Sequence, residues 1–263
     1  MDLGIKGKSV LVLASSKGLG KATAFEFAKE GARIMLSSRD AGQLEETTKE
    51  IIDATGAEVN YQVCDITKEA EIASLVEETA SRYGTVDVLI NNAGGPPAGG
   101  FDAHGDDNWQ KAFELNLLSF VRAIREVLPY MRKQGGGHIL NFASSSIKQP
   151  IDGLILSNTF RAGILGLSKS LSQELAQDNI LINTLGPGRI ATDRVEELDT
   201  IAAKKQERSY EEVKAASEKA IPLGRYGKPQ EFASIAVFLC SPANSYITGQ
   251  ALLVDGGMVK NLL

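Results

Sequence analysis

The chain has 263 residues, of which 43% are hydrophobic and 23% charged, with a formal net charge of -5. This composition excludes a disordered or low-complexity chain, and the acidic balance gives no electrostatic footprint for nucleic acid. No apolar run reaches the ~18 residues that span a bilayer, and the opening Met1 to Lys8 lacks the apolar core of a secretory signal.

In chain order, the first apolar run, Ser9 to Leu13, predicts a strand. It leads into Ala14-Ser15-Ser16-Lys17-Gly18-Leu19-Gly20, and Gly20 to Glu30 then has helical spacing. A glycine-rich turn between a strand and a helix brings backbone N–H groups to a pyrophosphate, with the helix N-terminus favouring the anion. The second strand, Arg33 to Ser37, runs on to Ser38-Arg39. A carboxylate there would suit the ribose 2′-OH of NAD, and a cation suits the 2′-phosphate of NADP. Arg39 and Lys17, with no acid in Ser37-Ser38-Arg39 where the strand ends, favour NADP(H).

Further strands are predicted over Glu58 to Cys64, Val86 to Asn91, His138 to Ala143, Leu181 to Leu185 and Ala251 to Val254. Helices are predicted over Gln43 to Ala54, Glu69 to Tyr83, Trp109 to Arg132, Asn158 to Gln177 and Pro229 to Leu239. Seven apolar runs alternating with helices imply one α/β domain over residues 1–263, a doubly wound (Rossmann) fold with a seven-stranded parallel sheet and helices on both faces. The segment Asp193 to Lys219 is highly charged at helical spacing, which suits either a solvated helical excursion or a lid over a site. Cys64 and Cys240 cannot make a disulfide framework, which fits a reducing cytosol and a cytoplasmic protein. His104 and His138 leave little for a zinc site, so no metal is expected.

These motifs, with Asp65 after the third strand, Asn91-Asn92-Ala93-Gly94 after the fourth, Asn116 in the long helix, Pro187-Gly188 after the sixth and the closing Ile247-Thr248-Gly249-Gln250 to Val254-Asp255-Gly256-Gly257, resemble the short-chain dehydrogenase/reductase family. The 3-oxoacyl-[acyl-carrier-protein] reductases are the most similar members, and the match covers nearly the whole chain. The resemblance implies that Gly18 and Gly20 flank the pyrophosphate, with Ser15 and Leu19 in the same turn. It places Asp65 and Ile66 at the adenine, Asn92, Ala93 and Gly94 along the cleft, and Pro187, Gly188, Ile190 and Thr192 at the nicotinamide end. It also implies a homotetramer formed through the long helices and the C-terminal segment Met258 to Leu263. The family's turn begins Thr-Gly, where this chain has Leu13-Ala14. Alanine disfavours positive φ, so an altered turn or a negative φ is expected.

The family's catalytic set is Ser, Tyr and Lys with a supporting Asn. Ser144 and Asn116 match it. Thirteen residues after Ser144, where the resemblance puts the Tyr, stands Ser157, and four further on, where it puts the Lys, stands Arg161. Reducing a ketone leaves an alkoxide that needs a proton donor with a pKa near the working pH. A phenol next to a cation meets that need, whereas a serine hydroxyl is shorter and a far weaker acid. Arg161 stays protonated, so its expected parts are to polarise the carbonyl or bind the ribose. Tyr210, in the charged segment, is the tyrosine best placed to substitute, with Lys148 as another candidate. His104 follows the loop after the fourth strand and reads first as a surface histidine, and His138 should lie at the opposite end of the sheet.

Two functions follow from the resemblance and the departure. One is an NADP(H)-dependent reductase of a small-molecule carbonyl substrate, acyl thioesters included, with an atypical proton donor. The other is a catalytically inactive NADP(H)-binding protein, serving as a sensor or as a partner subunit. A third reading is a lyase that grips an anionic substrate with Ser144, Ser157 and Arg161.

Overall fold

The computed structural model describes residues 2–262, so Leu263 of the expected C-terminal contact lies outside it. The seven predicted strands are all present: β1 (Ser9–Val12), β2 (Arg33–Ser38), β3 (Val59–Val63), β4 (Val88–Asn91), β5 (Gly137–Phe142), β6 (Ile180–Pro187) and β7 (Ala251–Val254). They form one sheet in the order β3-β2-β1-β4-β5-β6-β7, parallel throughout.

Alternation along the strands divides the core in two. From β1, Leu11 points to one face, where α3 (Glu69–Tyr83), α5 (Ser119–Gln134) and α6 (Ile155–Glu174) pack. Val10 and Val12 point to the other, against α1 (Gly18–Lys29), α2 (Ala41–Thr55) and α9 (Pro229–Leu239). Local chemistry fixes some helix starts: the Asp40 carboxylate caps α2 by accepting from the Gln43 N–H at 3.0 Å.

Two differences from the sequence reading matter for the site. The helix expected over Trp109 to Arg132 consists of α4 (Asp106–Phe113), a π-turn over Glu114–Leu118, and α5. The wider turn brings Asn116 to its centre and buries it completely. The charged segment forms two helices, α7 (Asp193–Gln206) and α8 (Tyr210–Ala220). Asp199 and Ala203 of α7 and Val213 of α8 are buried, so the pair is packed on the domain and is not a fully solvated excursion.

His138 lies near the start of β5, at the sheet end away from the glycine-rich turn, as expected. Its Nε2 is 3.3 Å from the Asn244 carbonyl. Burial pushes its pKa below the ordinary 6.5, with Lys8 adding to the effect and Asn244 and Asp87 opposing it. The unfolded chain therefore takes up this proton before the folded one. Stability from His138 is complete above pH 6.5 and is lost as pH falls toward the folded value. His138→Gln is expected to flatten that acid limb, read by urea melts between about pH 5 and about pH 7.5.

Candidate active site

The site is built at the carboxyl ends of the strands, where the order reverses between β1 and β4, the position at which open α/β sheets bind ligands. The glycine-rich turn is held there by a set of buried bonds. Ser15 is completely buried; its hydroxyl donates to the Val12 carbonyl at 2.8 Å and accepts from the Ser37 N–H at 2.9 Å. Its own N–H donates to the Ser37 carbonyl at 2.8 Å. Ser15 thus ties β1 to β2, with both of its donors used within the turn. Thr47 of α2 donates to the Ser16 carbonyl at 2.8 Å.

Ala14 adopts φ +47°, which rules out the negative φ offered as one alternative. Its carbonyl accepts from Asn92 Nδ2 at 3.0 Å, so the end of β4 holds the strained residue in place. A Cβ on Gly20 would sit 2.6 Å from the Ala14 oxygen, 2.8 Å from Asn92 Nδ2 and 2.9 Å from the Ser15 Cα. Only glycine allows α1 to start this close to the turn. Relieving the Ala14 strain with Ala14→Gly is expected to stabilise the fold by about 0.5–1 kcal/mol, seen as a Tm rise of about 1–4 °C.

Around this turn, Lys17 and Arg39 are exposed, and Arg39 forms no ion pair among the described residues. Asp65 lies near Arg39. Burial acts to raise the Asp65 pKa, but hydrogen bonds from Thr67 and the charges of Arg39 and Lys68 lower it below the ordinary carboxylate range. The Ile66 side chain, expected at the adenine, is packed in the core beside α3. Leu19 is half-buried on the other side of the sheet, against the core beneath α1. Gly18 and Gly94 face open space, with nothing within 4 Å of where a Cβ would stand.

The expected catalytic residues converge on the ends of β4 and β5. Asn116 Nδ2 donates to the Gly94 carbonyl at 2.7 Å. Arg161 donates to the neighbouring Ala93 carbonyl at 3.3 Å and to the Phe142 carbonyl at 2.7 Å. Consecutive carbonyls after β4 are therefore held by two side chains. Arg161 is 5% exposed with no carboxylate partner among the described residues, and burial pushes its pKa down to about 10. It remains a cation at neutral pH. In this structure two of its five N–H donors bridge strand ends, a seat that neither expected part required. Ser144 is partly exposed, its hydroxyl accepting from the Ser146 N–H at 3.1 Å. Ser157 is partly exposed on the first turn of α6 and makes no side-chain hydrogen bond among the described residues. Asn116 Oδ1 and Ser146 Oγ are buried without a partner.

At the end of β6, a Cβ on Gly188 would meet the Asp255 Cβ at 2.6 Å, so the chain after Pro187 is pressed against the segment after β7. The Ile190 side chain is buried against Gly227, so only its backbone is left to face the nicotinamide end. Thr192 caps the start of α7, where its carbonyl accepts from the Val195 and Glu196 N–H groups.

The first turn of α7 reaches both walls of the cleft. Asp193 lies 3.7 Å from Lys17 on the glycine-rich turn. Arg194 donates to the Pro96 carbonyl at 3.0 Å on the loop after β4 and pairs with Glu197 at 2.8 Å. Further along, the buried Asp199 accepts from Arg189 and, at 2.7 Å, from the Tyr226 hydroxyl. Sequence reasoning missed Arg194, Gly95 and Asp199. The available signal was the place of Arg194 two residues beyond Thr192.

The alternative donors are placed as follows. Tyr210 opens α8 half-buried, after a capping box formed by Ser209 and Glu212. The Tyr226 hydroxyl is bound to Asp199, and burial, helped by that carboxylate, pushes its pKa up to about 12. The Lys148 carbonyl accepts from Asn261 of the C-terminal segment. His104 is not a free surface histidine: its Nε2 is buried without a partner, and its Nδ1 lies 3.4 Å from Asn108 Nδ2. No cluster of metal-ligating side chains occurs among the described residues, and no helix there is long and apolar enough to cross a membrane.

A family model described as enoyl-(acyl carrier protein) reductase matches residues 13–259. The 3-oxoacyl-[acyl-carrier-protein] reductase FabG of Thermotoga maritima is 33% identical over 255 residues, which is 97% of this chain and 99% of the relative. The 7alpha-hydroxysteroid dehydrogenase of Escherichia coli K12 is 33% identical over 261 residues, 99% of this chain and 98% of the relative. Among solved structures, L-sorbose reductase from Gluconobacter frateurii, complexed with NADPH and L-sorbose, superposes with a TM-score of 0.95 at 34% identity over 100% of both chains. The sheet order, the glycine-rich turn locked to Asn92 and a sequence match over almost the full length agree, and the chain belongs to the short-chain dehydrogenase/reductase family.

Proposed function

We propose that the protein is an NADP(H)-dependent reductase of small-molecule carbonyl compounds whose proton donor is not the family's tyrosine. The observation that carries this reading is the cofactor cradle: Gly20 packed against Ala14 and Asn92, open space at Gly18 and Gly94, and an unpaired Arg39 at the end of β2. The L-sorbose reductase structure, with NADPH bound, supports the choice of dinucleotide.

When bound, the dinucleotide supplies hydride, and the chain has to place the carbonyl and provide a proton. Gly18 and the first turn of α1 offer N–H groups to the pyrophosphate. Lys17 and Arg39 take the 2′-phosphate, and Asp65 sits by the adenine. Ser144 holds the substrate oxygen, while Arg161 and Asn116 keep the Ala93–Gly94 wall in position. Ser157 takes the place of the family's Tyr, and α7 acts as a lid over the cleft. Carbonyl substrates that include 3-oxoacyl thioesters and assembly as a homotetramer belong to the same reading.

A second reading, binding without turnover, is favoured by the inward seat of Arg161 and by the short reach of Ser157. NADPH binding followed by fluorescence, together with NADPH oxidation over a panel of ketones and 3-oxoacyl thioesters, separates the two. Turnover of any panel member above background supports the reductase. Tight binding with background rates throughout replaces it with the second reading, and absence of NADPH binding removes both.

A further inference from the structure

The Arg194 guanidinium lies over the loop after β4. A Cβ on Gly95 would be 3.1 Å from its Nη2 and 3.2 Å from its Nε, so the absence of a side chain at Gly95 gives the guanidinium a flat seat. That seat adjoins Ala93 and Gly94, whose carbonyls Arg161 and Asn116 hold. On its own helix, Arg194 stands two residues from Thr192. Arg194 is thus a cation at the mouth of the cleft, between α7 and the wall on which a carbonyl substrate would lie.

We infer that Arg194 binds a carboxylate on the substrate, so that carbonyl acids are among its substrates. The proposal rests on the reductase reading for the carbonyl half of the substrate only. One N–H of Arg194 goes to Pro96 and one to Glu197, which leaves three of the five that a guanidinium carries. A planar fork with free donors suits a carboxylate bidentately. The Glu197 pair is no strong competitor: its side chains are 36% and 58% exposed and one turn apart, and such surface pairs contribute little. Asp193, the other nearby acid, leans toward Lys17. Behind the same wall lies the buried Arg161 cation with no carboxylate of its own among the described residues, which adds positive charge beneath the cleft without contacting an incoming anion. A simple latch between α7 and the Pro96 carbonyl would make no distinction between an acid and its ester.

That distinction is the test. The full chain is titrated calorimetrically, with and without NADP+, using 4-oxopentanoate, 5-oxohexanoate and 6-oxoheptanoate and the methyl ester of each. At least one acid is expected to bind about tenfold tighter than its ester. The acid-to-ester ratio is expected to fall to about one in Arg194→Gln and to survive in part in Arg194→Lys, which keeps the charge without the fork. Thermal melts confirm that each variant is folded. Equal affinity for acid and ester, a preference that persists in Arg194→Gln, or no binding of any acid would overturn the inference. An acid preference that depends on Arg194, in a protein that never oxidises NADPH, would keep the inference and overturn the reductase reading.

Discussion

Replacing Ser157 with tyrosine and Arg161 with lysine is expected to raise NADPH-dependent ketone reduction by about 100-fold or more, since a positioned general acid typically contributes about 10²–10⁴. Both positions lie on α6, one turn apart, so the new phenol and ammonium share one helix face. The phenol starts near a pKa of about 10 and is lowered by an adjacent cation, whereas the serine hydroxyl it replaces cannot release a proton near neutrality. The exchange has a structural cost. Arg161 bridges the Ala93 and Phe142 carbonyls, and a lysine reaches one of them, leaving a buried acceptor bare at about 1–3 kcal/mol. Initial rates of NADPH oxidation at saturating ketone, with melts to measure that loss, check the prediction. A parent enzyme that turns over well and is disabled by the exchange would show that a different donor is already installed.

Gly20→Ala is expected to lower NADPH affinity by about 100-fold and to destabilise the fold by about 1–3 kcal/mol, the usual range for overpacking a tight contact. The added methyl would stand 2.6 Å from the Ala14 oxygen and 2.9 Å from the Ser15 Cα, both backbone atoms of a turn tied down by Ser37, Thr47 and Asn92. The turn cannot yield, so α1 must move, and with it the N–H groups at its first turn. Gly18→Ala is the control: its φ is +58°, so it is strained, but no atom lies in the way of the methyl. It should keep most of its affinity. Binding by fluorescence and stability by urea melts distinguish the two, and an unchanged affinity in Gly20→Ala would refute the cradle.

The sheet was legible because its strands are covered on both faces and therefore read as unbroken apolar runs. The edge strand β3 is the partial exception, since Tyr61 and Val63 are exposed and the run starts one residue late. The long helix looked continuous because the chain stays helical through the wider turn at Asn116, with apolar residues three and four apart on both sides of it. Ser15 looked like a ligand contact because a small polar residue in a glycine-rich turn has that profile. Its actual partners are the ends of two strands, which only folding brings together. The same holds for Arg161, whose two carbonyls lie 68 and 19 residues away in sequence. Arg194 was hidden by its neighbourhood: one more charge in a charged helix carries no mark of the glycine on which it rests. Ala14 shows the opposite case, in which an intrinsic preference was read correctly and overridden by the hydrogen bond from Asn92.

Asp199 stands near the middle of α7. There the helix is bolted to the domain by Arg189 and Tyr226 through a fully buried carboxylate. Ahead of that point, its first turn touches the rest of the molecule through side chains that water can reach, those of Asp193 and Arg194. If α7 acts as the proposed lid, Asp199 is its natural fulcrum. Apart from the half-buried Val195 and Leu198, the stretch ahead of it is exposed or tied by surface side chains, so its amide hydrogens should exchange faster than those around Asp199. In the lid reading, access to the cleft is set by the six residues of α7 ahead of Asp199, while the anchored part of the helix stays with the domain.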